Sequence, residues 1–122
     1  MPESLQVICI IEDDESVRRA LRRSLRSMGL ATETFATAEE FLQSSEQMLP
    51  SCLILDVNLP GLNGLELQRR LQAEGRNIPF VVITAYADEK LREQAIKAGA
   101  IAFLPKPFEE RTLLQAVSRV VN

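Results

Sequence analysis

The sequence contains no histidine and no tryptophan. Without imidazole, Ser-His-Asp and Cys-His nucleophile systems, His-ligated zinc or iron, and an imidazole base at neutral pH are all excluded. Chemistry in this chain has to come from carboxylates, hydroxyls, lysine or arginine. No apolar run approaches the roughly 20 residues that span a bilayer, and Met1-Pro2-Glu3-Ser4 does not open a signal peptide. The two cysteines, Cys9 and Cys52, both sit inside apolar runs, where a free cysteine acts as a small buried hydrophobe. A reducing, cytoplasmic setting is therefore a simpler expectation than a disulfide or redox pair. Positive charge is not in excess either. The net charge of −3 argues against nucleic acid or an anionic membrane as the direct partner.

What is present fits one compact domain: 122 residues, 46% of them hydrophobic and 25% charged. Short apolar runs alternate with helical periodicity five times. The expected strands are Val7 to Ile11, Ala31 to Ala36, Cys52 to Leu55, Phe80 to Thr84 and Ile101 to Leu104. Three of them (VICII, CLIL, FVVI) are apolar throughout, as parallel strands covered on both faces should be.

Between the strands lie amphipathic segments. Val17, Leu21, Leu25 and Met28 form one stripe, closed by Gly29. Thr37-Ala38-Glu39-Glu40 has capping-box spacing and opens the helix that carries Phe41 and Leu42. Helices are expected over Gly64 to Glu74, Glu89 to Ala98 and Glu109 to Val121, the last with Leu113, Ala116, Val117 and Val120 on one face. Leu114 and Val121 fall off that stripe and are assigned to a partner surface, with scattered surface apolars as the alternative. Alternating β and α units imply an α/β fold with a parallel sheet. The chain stops as its last helix ends, which suits either a free-standing domain or one cut from a longer chain.

In a parallel α/β sheet every strand ends at the same edge, and ligands bind there. The residues that follow each apolar run are therefore read together. They are Glu12-Asp13-Asp14-Glu15, then Asp56, then Thr84, then Lys106. Carboxylates crowded in this way require a cation between them. A hard divalent ion with oxygen ligands is the natural choice, and Mg²⁺, with Mn²⁺ as a substitute, keeps sites open for water and phosphate oxygens. Carboxylate, metal, hydroxyl and ammonium are the parts that phosphoryl transfer requires.

Each of these residues also has a plainer reading. Asp56 could cap the turn into Leu59-Pro60-Gly61, and the acidic run could be a solvated loop whose charge suits a helix N-terminus. Thr84 could be an ordinary strand-end threonine and Phe103 an ordinary core aromatic. Lys106 is harder to dismiss, because Pro105 and Pro107 fix its backbone direction. The combination at one edge favours the functional reading.

The stretches IIEDDESVRRAL, CLILDVNLPGLNG, VVITA and FLPKPF stand in the order and spacing of response-regulator receiver domains of two-component signalling, and the match covers nearly the whole chain. CLILDVNLPGLNGLELQRRL resembles the FixJ-type branch, whose receivers usually precede a LuxR-type helix-turn-helix domain. The resemblance implies a CheY-like, flavodoxin-like (βα)5 three-layer sandwich with strand order 2-1-3-4-5, with residues 1–122 as one receiver domain and any output domain outside these residues. It implies that Asp56 is the phosphoacceptor and that Glu12, Asp13, Asp56 and the backbone carbonyl of Asn58 hold the metal, Glu12 at the position that acts through water, although its extra methylene could carry it past that position or into the ion's first shell. Thr84 and Lys106 would then stabilise the phosphoryl group. Phe103 would turn inward as Thr84 moves, and the Lys106-Pro107 bond would be cis. Asn58 and Tyr86, each two residues beyond a site residue, would tune phosphoryl lifetime.

The implied partners are a histidine kinase, met through the arginine-rich first helix (Arg18, Arg19, Arg22, Arg23, Arg26), and a second copy in a phosphorylation-dependent dimer. That helix could also be only a solvated basic face. Glu12 departs from the family's usual aspartate, and altered Mg²⁺ affinity is the expected consequence. Three other readings compete. In a haloacid-dehalogenase-like phosphatase, Asn58 would stand where a proton-donating acid is needed. In a flavodoxin-like binding module, Glu12 to Glu15 would repel the phosphate. The third is a pseudo-receiver that only binds partners.

Overall fold

The computed structural model describes residues 7–44 and 50–121, so the reading of the first four residues lies outside the described part. Five β/α units run in chain order. They are β1 (Val7–Ile11), α1 (Glu15–Arg26), β2 (Ala31–Phe35), α2 (Ala38–Ser44), β3 (Cys52–Asp56), α3 (Gly64–Ala73), β4 (Phe80–Thr84), α4 (Glu89–Lys97), β5 (Ala102–Pro105) and α5 (Glu110–Ser118). The strands form one parallel sheet in the order β2-β1-β3-β4-β5, the expected flavodoxin-like topology.

Alternation along the strands builds two cores. Cys9, Ile11, Leu53, Leu55 and Val82 face α2, α3 and α4 through Phe41, Leu67, Leu71 and Ala95. Ile8, Ile10, Cys52, Ile54, Val81 and Ile83 face α1 and α5 through Leu21, Leu25, Leu113 and Val117. Because each strand is covered on both sides, β3 and β4 are buried at every position, which is why they read as unbroken apolar runs.

The cysteines follow from this alternation. Cys9 belongs to one core and Cys52 to the other, neither is in a disulfide, and burial pushes the pKa of each thiol up to about 12. They are inert packing groups, as expected.

Several sequence expectations are corrected. Val121 is buried in the α1/α5 core and Leu114 packs half-buried against it, so neither offers the free partner surface assigned to them. Regular helix ends at Ser118, but Val120 N–H and Val121 N–H both still bond the Val117 carbonyl, at 3.1 and 3.3 Å, which leaves Val121 one turn beyond Val117 on the buried side. The capping box of α2 is half formed. Glu40 N–H donates to Thr37 Oγ1 at 3.0 Å, but the Glu40 carboxylate accepts from Ala36 N–H rather than from Thr37. A complete box appears instead at α3, where Asn63 and Glu66 cap each other.

Gly64 opens α3 directly beneath the end of β3. A Cβ there would lie 2.6 Å from the Asp56 carbonyl oxygen, so only glycine permits this approach. Gly64→Ala is expected to destabilise the fold by about 1–3 kcal/mol, the usual range for overpacking, measured as a lowered urea midpoint.

Candidate functional site at the carboxyl edge of the sheet

The chain moves outward from β1 to β2 and then crosses to β3 on the other side, so a crevice opens beyond the ends of β1 and β3. Strand register decides what stands in it. Ile11 pairs with Leu55, Asp56 with Ile83, and Thr84 with Pro105. The ladder continues one residue further through Lys106 N–H to the Thr84 carbonyl at 2.7 Å. Glu12, Asp56, Thr84 and Lys106 are thereby set side by side, each from a different strand end.

Glu12 and Thr84 are fully buried and Asp56 is nearly so. Lys106 Nζ lies 2.6 Å from Glu12 Oε1 and 2.9 Å from Asp56 Oδ2, joining the two carboxylates. The other Glu12 oxygen accepts from Asp14 N–H at 3.0 Å, and the other Asp56 oxygen from Asn58 N–H at 2.8 Å. Thr84 Oγ1 accepts from Asn58 Nδ2 at 2.8 Å and from Tyr86 N–H at 3.1 Å. The Lys106-Pro107 bond is cis, as expected. Asp13 is exposed at the mouth of the crevice. Phe103 is half-buried against the α2/α3/α4 core, and the Tyr86 ring is 75% exposed.

Asp14 plays the plainer role its position allowed. It is the N-cap of α1, accepting from Ser16 and Val17 N–H, and Glu15 pairs with Arg19 on the surface at 2.9 Å.

The donor set suits a hard divalent cation. One oxygen from each of Glu12, Asp13 and Asp56 lies within 4.8 Å of the others, and all three are carboxylates. Glu12, the departure from the family's usual aspartate, contacts Lys106 directly at 2.6 Å. Burial pushes the Glu12 carboxyl up to about 7, with the nearby Asp56 charge acting the same way. Hydrogen bonds from Lys106 and Asp14 only partly oppose this. Burial also disfavours the Lys106 ammonium, yet its bonds to Glu12 and Asp56 carry its pKa above the ordinary value.

An acid raised in the fold favours the folded state most below its unfolded pKa, and that advantage is lost as pH climbs through about 7. A cation that needs the ionised form should bind less tightly as pH falls below that value. Mg²⁺ affinity is expected to drop by up to about tenfold per pH unit over that range, and metal titrations at pH 6, 7 and 8 will read it.

Four contacts were not visible in the sequence. Arg18 donates to the Glu12 carbonyl at 2.7 Å. Glu39 accepts from Leu62 N–H at 3.0 Å, which holds its carboxyl below the usual range and pins the β3–α3 loop. Lys106 pairs with Glu12 as well as with Asp56. The Asn58 side chain reaches Thr84. All four depend on loop paths, for which one sequence carries no signal.

A family model for the response regulator receiver domain matches residues 8–118. The chain belongs to that family. It is 40% identical over 117 residues to the transcriptional regulatory protein FixJ of Azorhizobium caulinodans, covering 96% of this chain and 55% of that protein. The response regulator StyR superposes with a TM-score of 0.87 at 45% identity, over 96% of this chain and 59% of that one. The receiver domain of the Pseudomonas aeruginosa sensor histidine kinase PA1611 superposes with a TM-score of 0.83 at 28% identity, over 96% and 98% of the two chains. That structure carries a magnesium ion coordinated in its active site cleft. This receiver domain spans about half the length of the curated relatives it matches.

Proposed function

We propose that this receiver domain accepts a phosphoryl group on Asp56 from a histidine kinase and passes the change to a transcriptional output. The observation that carries the reading is the alignment of Asp56, Thr84 and Lys106 at one sheet edge, with Glu12 and Asp13 able to share a cation with Asp56.

Asp56 is the nucleophile. Its two oxygens are held by Lys106 Nζ and by Asn58 N–H, which fixes the carboxylate plane before any donor arrives. Attack forms a new P–O bond as the donor's P–N bond breaks, and the electron pair leaves with the donor imidazole. Glu12, Asp13, Asp56 and the Asn58 carbonyl are the groups to hold Mg²⁺, which when bound neutralises charge on the carboxylates and phosphoryl oxygens. Lys106 supplies a second positive charge to those oxygens and Thr84 a hydroxyl donor. The same groups serve dephosphorylation, so the domain modifies itself and turns over no free substrate. Asn58 has no proton to give a leaving group, and its amide is engaged with Thr84, which disfavours the phosphatase alternative.

A groove of about 500 Å³ between α1 and α5 leads to Lys106, walled by Val17, Ala20, Leu21, Phe108 and Leu113. Arg18, Arg19 and Arg22 line a separate surface of α1 with Glu15 and Thr34, and α1 with this groove is the surface assigned to the kinase. Movement of Thr84, followed by Phe103, would bias the α4/β5/α5 face between two states and favour a dimer or release of an output domain. Among the described residues no helix is long and apolar enough to cross a membrane, and the cytoplasm is the proposed location.

Incubation with acetyl phosphate and Mg²⁺ should add one phosphoryl group by intact mass, and chelation of the metal should remove that gain. No gain in either condition would favour the pseudo-receiver.

A further inference from the structure

Asn58 touches both the nucleophile and the hydroxyl of the proposed reaction. Its backbone N–H donates to Asp56 Oδ1 and its side-chain Nδ2 to Thr84 Oγ1, each at 2.8 Å. A threonine oxygen has two acceptor positions and one proton. Asn58 takes one of those positions and Tyr86 N–H the other. Thr84 is fully buried, so any change in its χ1 carries Oγ1 away from two donors in a place where water cannot replace them. Asn58 itself is exposed, so its amide can swing into solvent once released.

We infer that Asn58 is a latch on the switch: its side-chain amide holds Thr84 in the resting rotamer, and that bond is released when Thr84 turns to a phosphoryl group on Asp56. The inference rests on the phosphoacceptor reading of Asp56. Asn58 contributes no side-chain atom to the reaction and acts through Thr84, as a positioning residue. The backbone link to Asp56 places the latch on the same loop as the group whose modification opens it. Tyr86 N–H remains as a second tether, so removing Asn58 alone shifts the balance without abolishing the resting state.

The test is a beryllofluoride titration of the 122-residue chain at saturating Mg²⁺, followed by NMR at Thr84 and Phe103. Beryllofluoride forms a stable acyl-phosphate analogue on a carboxylate. Asn58→Ala is expected to reach half-conversion at about two- to tenfold lower concentration than the parent, the worth of one net hydrogen bond. Its resting spectrum should also lie closer to the converted one. In a Thr84→Val background Asn58→Ala should add nothing, whereas in Thr84→Ser, which keeps the oxygen, it should retain its effect. An unchanged or higher requirement in Asn58→Ala, or the same shift with valine at 84, would overturn the latch. If the parent does not convert, the phosphoacceptor reading falls and the latch with it. If the parent converts while the two positions act independently, the latch alone falls.

Discussion

Freed of metal at pH 8, Lys106→Met is expected to unfold about 2–4 kcal/mol more easily than the parent chain, slightly below the usual cost of removing one partner from a buried pair. The Lys106 side chain is 18% exposed, which is the reason for the discount, whereas Glu12 and Asp56 are almost sealed from water. Methionine matches the aliphatic stem but leaves two facing carboxylates with no cation between them. Two recoveries should follow. Mg²⁺ should be able to take over the pairing, because Glu12 and Asp56 are two of the three carboxylates that lie close enough together to share a cation. Lowering the pH below about 7 should also restore stability, since Glu12 then takes a proton and the repulsion ends. Urea unfolding at pH 6 and 8, with and without Mg²⁺, separates these effects. A loss that ignores both metal and pH would make Lys106 a packing residue only.

Asp56→Asn should have the largest effect on chemistry and a modest opposite effect on the fold. The amide is not a nucleophile, so phosphoryl gain from acetyl phosphate should disappear. In chelator, however, the variant should be more stable than the parent at pH 8. Asp56 raises the Glu12 carboxyl by like-charge repulsion, and removing it leaves Lys106 and Glu12 as a balanced pair. The gain should be small, on the order of 1 kcal/mol, because burial and not Asp56 is the main reason the Glu12 carboxyl is raised and the variant also gives up the Lys106–Asp56 bond. On the proposed function, carboxylates gathered for a metal and a reaction would be a cost to the empty fold, and the two measurements on one variant test that trade.

The sheet-edge logic made much of this site legible in the sequence. Three short all-apolar runs, alternating with amphipathic segments, read as strands covered on both faces, and the residues after parallel strands share an edge, so Glu12, Asp56 and Thr84 could be grouped before any coordinates. The cis Lys106-Pro107 bond and the strand order came from the family resemblance and hold in the structure. Side-chain reach was not legible. The direct contact between Glu12 and Lys106 depends on how far each side chain extends, and one sequence does not carry that. The Asn58 amide could have pointed to solvent, as most loop amides do. Val121 was assigned to a surface because it was read as lying off the stripe, yet it stands one turn beyond Val117, bonds that residue's carbonyl and packs in the same core. Periodicity reads faces within a regular helix, and the turn after Ser118 is no longer regular.

Peptide-level mapping of the phosphoryl group tests the central claim most directly. After acetyl phosphate and Mg²⁺, the group should lie on the segment holding Asp56 and be released by hydroxylamine, as an acyl phosphate is. A phosphoryl group found instead on a serine, a threonine or Asp13, or one that survives hydroxylamine, would contradict the account.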